Sequence, residues 1–179
     1  GYAARQAAIR AELSELQKAG RAAQSLPEPT SESILEALGL RLDREANCRW
    51  LFHGITAEAA RHCLDEGFDI DAAGAEDGML YGRGIYLTEY CSRVDRSLLP
   101  DHRGNRHLLL CRATLGNVLR DDAVLPDKVH IINQCTGGEY HSVLGDREER
   151  CPGSTKDFVL YDKDQVYPEI LIEYSRVYR

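Results

Sequence analysis

The most informative segment of this chain reads Gly82-Arg83-Gly84-Ile85-Tyr86-Leu87-Thr88. Its two glycines tolerate backbone angles that other residues avoid, and they let a ligand approach the main chain closely. The apolar residues 85–87 predict a short buried strand, and Thr88 is predicted to cap a helix over residues 89–99. Tyr86 is therefore expected where a strand gives way to a helix. Because most such turns serve packing alone, the meaning of this one depends on the segments around it.

The composition is that of one soluble globular domain. The chain has 179 residues, of which 43% are hydrophobic and 28% are charged, and it is long enough to form a proper core. It contains no long apolar run and no signal-peptide pattern, so no membrane span is expected. The net charge of −7 argues against broad contact with nucleic acid but leaves room for a basic pocket that holds one nucleotide.

Six cysteines occur at positions 48, 63, 91, 111, 135 and 151. None of them belongs to a C-x-x-C pair, which argues against a zinc knuckle, and no bound metal is expected. Their placement in predicted helices and strands favours buried thiols in a reducing compartment over disulfides. We therefore expect an intracellular protein, either nuclear or cytoplasmic.

An N-terminal helical segment is predicted over residues 1–46. Its first helix, over residues 3–24, has one narrow apolar stripe at helical spacing. The stripe consists of Ile9, Leu13 and Leu16. Thr30 or Ser33 is predicted to cap a second helix that runs to about Leu38. We interpret the segment as an accessory or packing unit, which either covers a substrate cleft or replaces a first strand.

His53 is expected at the carboxyl end of a buried strand. The aromatic and apolar run Arg49-Trp50-Leu51-Phe52-His53-Gly54 gives way abruptly to polar residues. Thr56 is then predicted to cap a helix over residues 57–66 that Gly67 ends. Ligands collect at the carboxyl ends of strands in open α/β sheets. A histidine satisfied within the core is an equally compatible interpretation.

Three more strands are predicted in the second half of the chain. The continuous apolar run over residues 107–114 indicates the middle of a sheet, and residues 157–162 and 169–174 follow strand patterns. Residues 69–78 and 120–155 are predicted to be mostly irregular. A loop as long as the second of these is usually functional in a compact domain.

Taken in order, these segments resemble the catalytic domain of the poly(ADP-ribose) polymerases, which are diphtheria-toxin-like ADP-ribosyltransferases. The matching segments are residues 51–54, 66–69, 81–87, 108–116, 141–145 and 158–172. Each segment is loose alone, but their common order is specific. The resemblance covers residues 47–179 and implies an α+β fold in which two packed, mainly antiparallel sheets form an NAD cleft.

The resemblance implies that NAD⁺ is the substrate, that nicotinamide leaves, and that ADP-ribose passes to protein acceptors, including the protein itself. His53 would hold a ribose hydroxyl, Gly54 would bind the nicotinamide carboxamide through its backbone, and Tyr86 would stack on the nicotinamide ring. Asp157 would hold the 2′-hydroxyl of the nicotinamide ribose. The predicted catalytic residues are therefore His53, Tyr86 and Asp157.

The predicted substrate site also departs from the family pattern. The further NAD-binding candidates are Gly54, Tyr81, Tyr90, Arg93 and Ser97. Asp157 stands where the polymerases have glutamate, which puts chain formation in question. Val94 and Ser97 stand where many members have a serine and a second stacking tyrosine, and Arg93 replaces a common lysine. Ile55 stands after the His-Gly pair, where the family usually has serine or threonine. Together these changes predict weaker nicotinamide binding or a different pocket shape.

These residues allow three interpretations. The first is an active ADP-ribosyltransferase, with the formation of poly(ADP-ribose) left open. The second is a degenerate module that binds NAD or ADP-ribose with little or no transfer. The third, a transferase of the cholera-toxin type, is disfavoured because its Arg, Ser-x-Ser and Glu-x-Glu set is not found in suitable places.

Overall fold

The computed structural model describes residues 1–21, 32–70 and 79–177. The helices are α1 (Tyr2–Lys18), α2 (Glu32–Ala37), α3 (Ala57–Glu66), α4 (Cys91–Ser97) and α5 (Lys128–Thr136). The strands are β1 (Cys48–Ile55), β2 (Ile85–Leu87), β3 (Arg106–Thr114), β4 (Val118–Asp121), β5 (Ser142–Gly145), β6 (Asp157–Leu160) and β7 (Val166–Tyr174). A 3₁₀ turn, Lys163–Gln165, joins β6 to β7.

The strands form two sheets, which we call sheet one and sheet two. Sheet one has the order β1-β3-β7, and both of its pairs are antiparallel. Sheet two has the order β2-β6-β5-β4, in which β4 and β5 are parallel and the other two pairs are antiparallel. The predicted α+β fold with two mainly antiparallel sheets is therefore confirmed.

The main core lies between the two sheets. Leu51 and Leu109 of sheet one and Phe158 and Leu160 of sheet two belong to one cluster of buried side chains. The uninterrupted apolar run of β3 is buried along most of its length, and β3 pairs on both sides, as predicted for the middle of a sheet. The burial of these apolar side chains is the main force that holds the sheets together.

The helix α3 forms as its sequence predicts. The Thr56 hydroxyl accepts a hydrogen bond from the backbone N–H of Ala59, and Gly67 ends the helix. The preceding strand is longer than predicted, because β1 continues to Ile55 instead of ending at His53. It does so because residues 53–55 remain paired with β3. His53 therefore lies within a strand, two residues before its end.

The helix α1 packs against the body of the domain. Ile9 and Leu13 are buried, in agreement with the predicted stripe. The Nε2 atom of His141 donates to the Glu12 carboxylate over 2.7 Å, because the Nδ1 atom already accepts the N–H of Asn117 over 2.9 Å. These contacts tie the helix to β5 and the turn before β4.

The helix α1 is shorter than the predicted span of residues 3–24. It ends at Lys18, because Gly20 adopts a φ of 73° and lets the N–H of Arg21 bond to the carbonyl of Leu16 over 2.9 Å. A positive φ favours glycine and closes helices in this way. The predicted cap of α2, Thr30 or Ser33, lies outside the side chains that the structure describes.

The predicted helix after Thr88 begins later than expected. Thr88 pairs with Phe52 through two backbone hydrogen bonds of 2.7 and 3.0 Å, so it extends the contact between β2 and β1. The helix α4 begins at Cys91, and Tyr90 occupies its N-cap without a side-chain hydrogen bond. The prediction that Thr88 caps this helix was wrong because the tertiary pairing of Thr88 with β1 takes precedence.

The region over residues 120–155 is more ordered than predicted. It contains α5, which is capped by Asp127, and β5, which lies inside sheet two. Both elements are too short and too closely flanked by glycines for their patterns to be recognised. Of the predicted loop over residues 69–78, the part 71–78 lies outside the described residues.

Two of the later strands differ from their predicted bounds. The strand β6 ends at Leu160, because Asp162 caps the 3₁₀ turn through its side chain. The strand β7 begins before Pro168, and its pairing with β3 shifts between Leu110 and Cys111. Proline has no N–H to donate, so a bulge forms there, and the sequence pattern suggested a later start.

Candidate active site

The imidazole of His53 is fixed by the main chain of β2. Its Nδ1 atom lies 2.8 Å from the carbonyl oxygen of Tyr86. Since a carbonyl oxygen can only accept, Nδ1 donates and Nε2 is left as the acceptor of the neutral ring. The edge of the Phe68 ring supports the imidazole, with 5.2 Å between the ring centroids. Burial lowers the pKa of His53, and the hydrogen bond to Tyr86 opposes that shift in part.

The phenol of Tyr86 is also held by backbone groups. Its oxygen accepts the N–H of Tyr81 over 3.0 Å, and its hydroxyl donates to the carbonyl of Gly82 over 2.8 Å. Gly82 has a φ of +81°, and a Cβ atom there would lie 2.6 Å from Ile132. This explains the first glycine of the segment. Burial raises the pKa of Tyr86 to about 12, so its hydroxyl stays protonated at neutral pH.

Gly54 is the point at which α4 comes closest to β1. A Cβ atom at this position would lie 2.9 Å from Cγ1 of Val94 and 3.1 Å from Cδ2 of Leu98. Real Cβ atoms do not approach other carbons so closely, so a glycine is required if the helix is to pack here. The backbone of Gly54 is consequently part of the wall where strand and helix meet.

Asp157, the first residue of β6, forms a two-point ion pair with Arg93 of α4. The Nε atom of Arg93 donates to Oδ1 over 2.9 Å, and its Nη2 atom donates to Oδ2 over 2.7 Å. Asp157 is 9% exposed. Burial raises the pKa of its carboxyl, and the Arg93 charge opposes that shift. The arginine therefore holds the carboxylate in one orientation and offsets part of the cost of burying it.

These side chains line one cavity of about 550 Å³, which we call the first cavity. Six of the predicted site residues lie in its lining, namely His53, Gly54, Tyr86, Arg93, Ser97 and Asp157. The structure thus brings together residues that are more than 100 positions apart in the sequence. In particular, Asp157 lines the same space as His53 and Tyr86.

Two predicted residues lie outside the lining of the first cavity. Tyr81 is 1% exposed and packs in a small core cluster with Ile131, Val143 and Val159. Its link to the site is the backbone N–H that it donates to Tyr86. Tyr90 is 49% exposed at the start of α4. Neither tyrosine side chain therefore lines the cavity.

A second cavity of about 590 Å³ shares His53, Gly54 and Tyr86 with the first. Its other side is mostly apolar. The side chains there include Ile55, Cys63, Phe68, Ile70 and Met79. Apart from Ile55, sequence reasoning did not assign these residues to the site, although the segment of residues 66–69 had been matched to the family. No described residue of the predicted N-terminal segment lines either cavity.

Comparison with known proteins identifies the fold family. A sequence model described as "Poly(ADP-ribose) polymerase catalytic domain" matches residues 30–176. The chain belongs to this family. The match begins before residue 47, and the predicted division of the chain at that residue stays a prediction.

Two relatives show how far the similarity of this PARP domain extends. It is 32% identical over 107 residues to "Poly [ADP-ribose] polymerase tankyrase" of Caenorhabditis elegans. The aligned region covers 56% of this chain and 5% of the relative. It is 28% identical over 138 residues to "Protein mono-ADP-ribosyltransferase PARP12" of Mus musculus. Here the aligned region covers 74% of this chain and 17% of the relative. The chain thus spans a small part of the length of either relative.

The helix side of the first cavity is filled by an apolar side chain and a satisfied hydroxyl. Val94 is 6% exposed and packs against Gly54. The Ser97 hydroxyl donates to the carbonyl of Val94, within the same helix, over 2.9 Å.

The described residues contain no cluster of three or more potential metal ligands. Among the described helices, none is long and apolar enough to cross a membrane.

Proposed function

We propose that this PARP domain is an active ADP-ribosyltransferase that uses NAD⁺, releases nicotinamide, and modifies protein acceptors, including itself. One observation carries the proposal: His53, Tyr86 and Asp157 come from three different strands and line the same cavity. Each is held in place before any ligand arrives, by a carbonyl, by a backbone turn and by an arginine, respectively. Preorganisation of this kind is what a catalytic site requires.

The two cavities suit the two halves of a dinucleotide. In this proposal, the first cavity holds nicotinamide and its ribose, with Tyr86 against the ring, the backbone of Gly54 at the carboxamide, and His53 Nε2 accepting a ribose hydroxyl. The second cavity, which shares these three residues, takes the remainder of NAD⁺. Tyr81 contributes by fixing Tyr86, and Tyr90, exposed at the N-cap of α4, is assigned no direct contact with NAD⁺.

The chemistry assigned to Asp157 is charge stabilisation. As the bond between C1′ and the nicotinamide nitrogen breaks, both electrons leave with nicotinamide, and positive charge develops on the ribose. A fixed carboxylate that holds the 2′-hydroxyl stabilises this charge. The acceptor then bonds to C1′ and gives up its proton. Loss of one preplaced electrostatic group of this kind costs about 10²- to 10³-fold in rate.

The Arg93 ion pair still allows Asp157 this role. A carboxylate has about four lone-pair sites, and the arginine uses two of them. A hydroxyl can therefore bind while the pair stays intact. Because aspartate is one methylene shorter than the glutamate of the polymerases and is held at both oxygens, we favour transfer of single ADP-ribose units over chain growth.

The same ion pair supports a second candidate function. If Arg93 keeps both oxygens of Asp157 engaged, and Val94 fills the space beside Gly54, the domain binds NAD⁺ or ADP-ribose without transferring it. In either case we propose an intracellular location, nuclear or cytoplasmic. The six free thiols support this location, since free cysteines are typical of reducing compartments.

Incubation with NAD⁺ labelled on its adenylate phosphate tests the proposal, with the products sized on a gel. We expect the wild-type protein to become labelled as a discrete band, and His53→Ala to remain unlabelled. His102→Ala, an exposed histidine outside both cavities, is the matched control and should behave as wild type. An unlabelled wild type that still binds NAD⁺ in calorimetry would establish the second candidate. A ladder of products would show chain growth.

A further inference from the structure

The helix α4 is too short to be stable by itself. It has seven residues, and its N-cap makes no side-chain hydrogen bond. Isolated helices of this length do not persist in water, so contacts with the rest of the fold must set its position. Yet α4 supplies Arg93, Val94 and Ser97 to the first cavity. The elements that hold α4 therefore also determine where Arg93 is presented.

The main anchor of α4 is Asp95, which is bound by residues at and beyond the end of β7. The Tyr174 hydroxyl donates to Oδ1 of Asp95 over 2.5 Å. Arg176 donates to Oδ1 over 3.1 Å, to Oδ2 over 2.8 Å, and to the backbone carbonyl of Asp95 over 2.6 Å. These partners keep the pKa of Asp95 below its usual value. A second anchor is Arg106, whose Nε atom donates to the carbonyl of Leu98 over 3.2 Å.

The two ion pairs of α4 join the two sheets. Asp95 is bound by Tyr174, the last residue of β7 in sheet one, and by Arg176 just beyond it, and Arg93 is bound to Asp157 at the start of β6 in sheet two. Residues two positions apart on a helix project in different directions. The helix is thus bound on one side to Asp157 and on the other to the residues at and beyond the end of β7.

We infer that Tyr174 and Arg176 are positioning residues for the acid of the active site. They hold Asp95, α4 thereby presents Arg93 at a fixed place, and Arg93 orients Asp157. The effect on catalysis rests on the proposed function. Asp95 and Arg176 are each about one-third exposed, so their pair contributes little to global stability. Small displacements of a catalytic group, in contrast, slow turnover strongly.

Steady-state kinetics of four variants test the inference. We expect Arg176→Ala to lower kcat about tenfold with little change in the KM for NAD⁺, because orientation and not binding is lost. Tyr174→Phe should have a smaller effect in the same direction, and Arg176→Lys should recover part of the loss. The matched control is Arg150→Ala, which removes a 2.9 Å surface pair with Asp122 and should leave kcat unchanged.

A double-mutant cycle separates positioning from general destabilisation. If the effect passes through Arg93, Arg176→Ala should cause almost no further loss of kcat in an Arg93→Gln background. Additive losses, or a kcat of Arg176→Ala equal to that of wild type, would overturn the inference.

A measurement that does not depend on catalysis tests the positioning role separately from the proposed function. By NMR, the Nε–H proton of Arg93, which bonds to Asp157, should exchange with solvent about tenfold faster in Arg176→Ala than in wild type. Arg150→Ala should leave that rate unchanged. An unaltered rate in Arg176→Ala would refute the positioning role even in an inactive protein. An inactive wild type with the expected exchange result would refute only the proposed function.

Discussion

The two walls of the first cavity are built on different principles. The strand wall consists of His53, Gly54 and Tyr86, and its two side chains bond to backbone groups. Tyr86 bonds to the backbone of Tyr81 and Gly82 in the same segment, and His53 bonds to the carbonyl of Tyr86, 33 positions away. The helix wall consists of Arg93, Val94 and Ser97, and its position depends on side chains that lie far away in the sequence, at Asp157 and beyond β7. The resemblance described above predicts that the strand wall follows the family pattern and that the helix wall departs from it. This contrast teaches that groups fixed by main chain are the ones that a local motif can reveal.

Among the variants that compare the two walls, the largest effect is expected at Asp157, which lines the first cavity together with both walls. Asp157→Asn should lower kcat about 10²- to 10³-fold, because the charge that stabilises the transition state is lost. NAD⁺ affinity should change only severalfold. Nicotinamide release and calorimetry measure the two quantities. Asp122→Asn, at an exposed surface pair, is the control. An equal loss of affinity and rate would mean that Asp157 serves ground-state binding instead.

The strand wall is tested at Tyr86. Tyr86→Ala should weaken NAD⁺ binding about tenfold or more, because the stacking surface disappears. Tyr86→Phe keeps the ring but leaves the N–H of Tyr81 and the carbonyl of Gly82 without their partner. It should therefore lower the free energy of unfolding by about 1–3 kcal/mol, measured in urea, while affinity changes little. Equal affinity losses in both variants would show that the hydroxyl, not the ring, contacts the ligand.

Much of the fold and most of the strand wall could be predicted from sequence. The cap at Thr56, the central strand β3 and the strand at Tyr86 each depend on local pattern, and all three are confirmed. The family resemblance, confirmed by the sequence comparison, supplied the candidate acid at position 157. These features succeed because short-range propensity and tertiary structure agree there.

The features that could not be predicted depend on contacts between distant residues. Thr88 loses its capping role because Phe52 pairs with its backbone. The Arg93–Asp157 pair spans 64 positions, and nothing in either local sequence indicates it. Tyr174 and Arg176 belong to no motif, so their bonds to Asp95 become visible only in the folded chain. The helix wall was therefore the less predictable of the two walls.

The pH dependence of kcat/KM tests His53 of the strand wall together with Asp157. Burial lowers the pKa of His53 and raises that of Asp157. In the proposed mechanism the neutral imidazole and the ionised carboxylate are the active forms, so activity should fall as the pH decreases. The acidic limb should lie between the ordinary pKa values of an aspartate and a histidine, with a plateau above about pH 7. A limb above the ordinary histidine value would contradict the assignment of His53 as a hydrogen-bond acceptor.

Replacement of Val94 tests whether the helix wall limits affinity. Val94→Ser should strengthen NAD⁺ binding about threefold to tenfold, because a hydroxyl becomes available to the carboxamide near Gly54. The same change removes buried methyl groups and should destabilise the fold by about 1–2 kcal/mol. Val94→Ala is the control, since it removes the methyl groups without adding a hydroxyl. If Ala and Ser strengthen binding equally, the effect is one of space and not of hydrogen bonding.

The smallest effect is expected at Ser97, the last residue of the helix wall. Its hydroxyl donates to the carbonyl of Val94 and is therefore already satisfied within the helix. Ser97→Ala should change kcat and KM by less than about twofold and stability by about 0.5 kcal/mol or less. Ser97→Thr, which keeps the donor, serves as the control. If Ser97→Ala raised KM severalfold while Ser97→Thr did not, the hydroxyl must turn from Val94 to the substrate. The helix wall would then bind NAD⁺ directly, and the contrast between the walls would be one of rigidity and not of function.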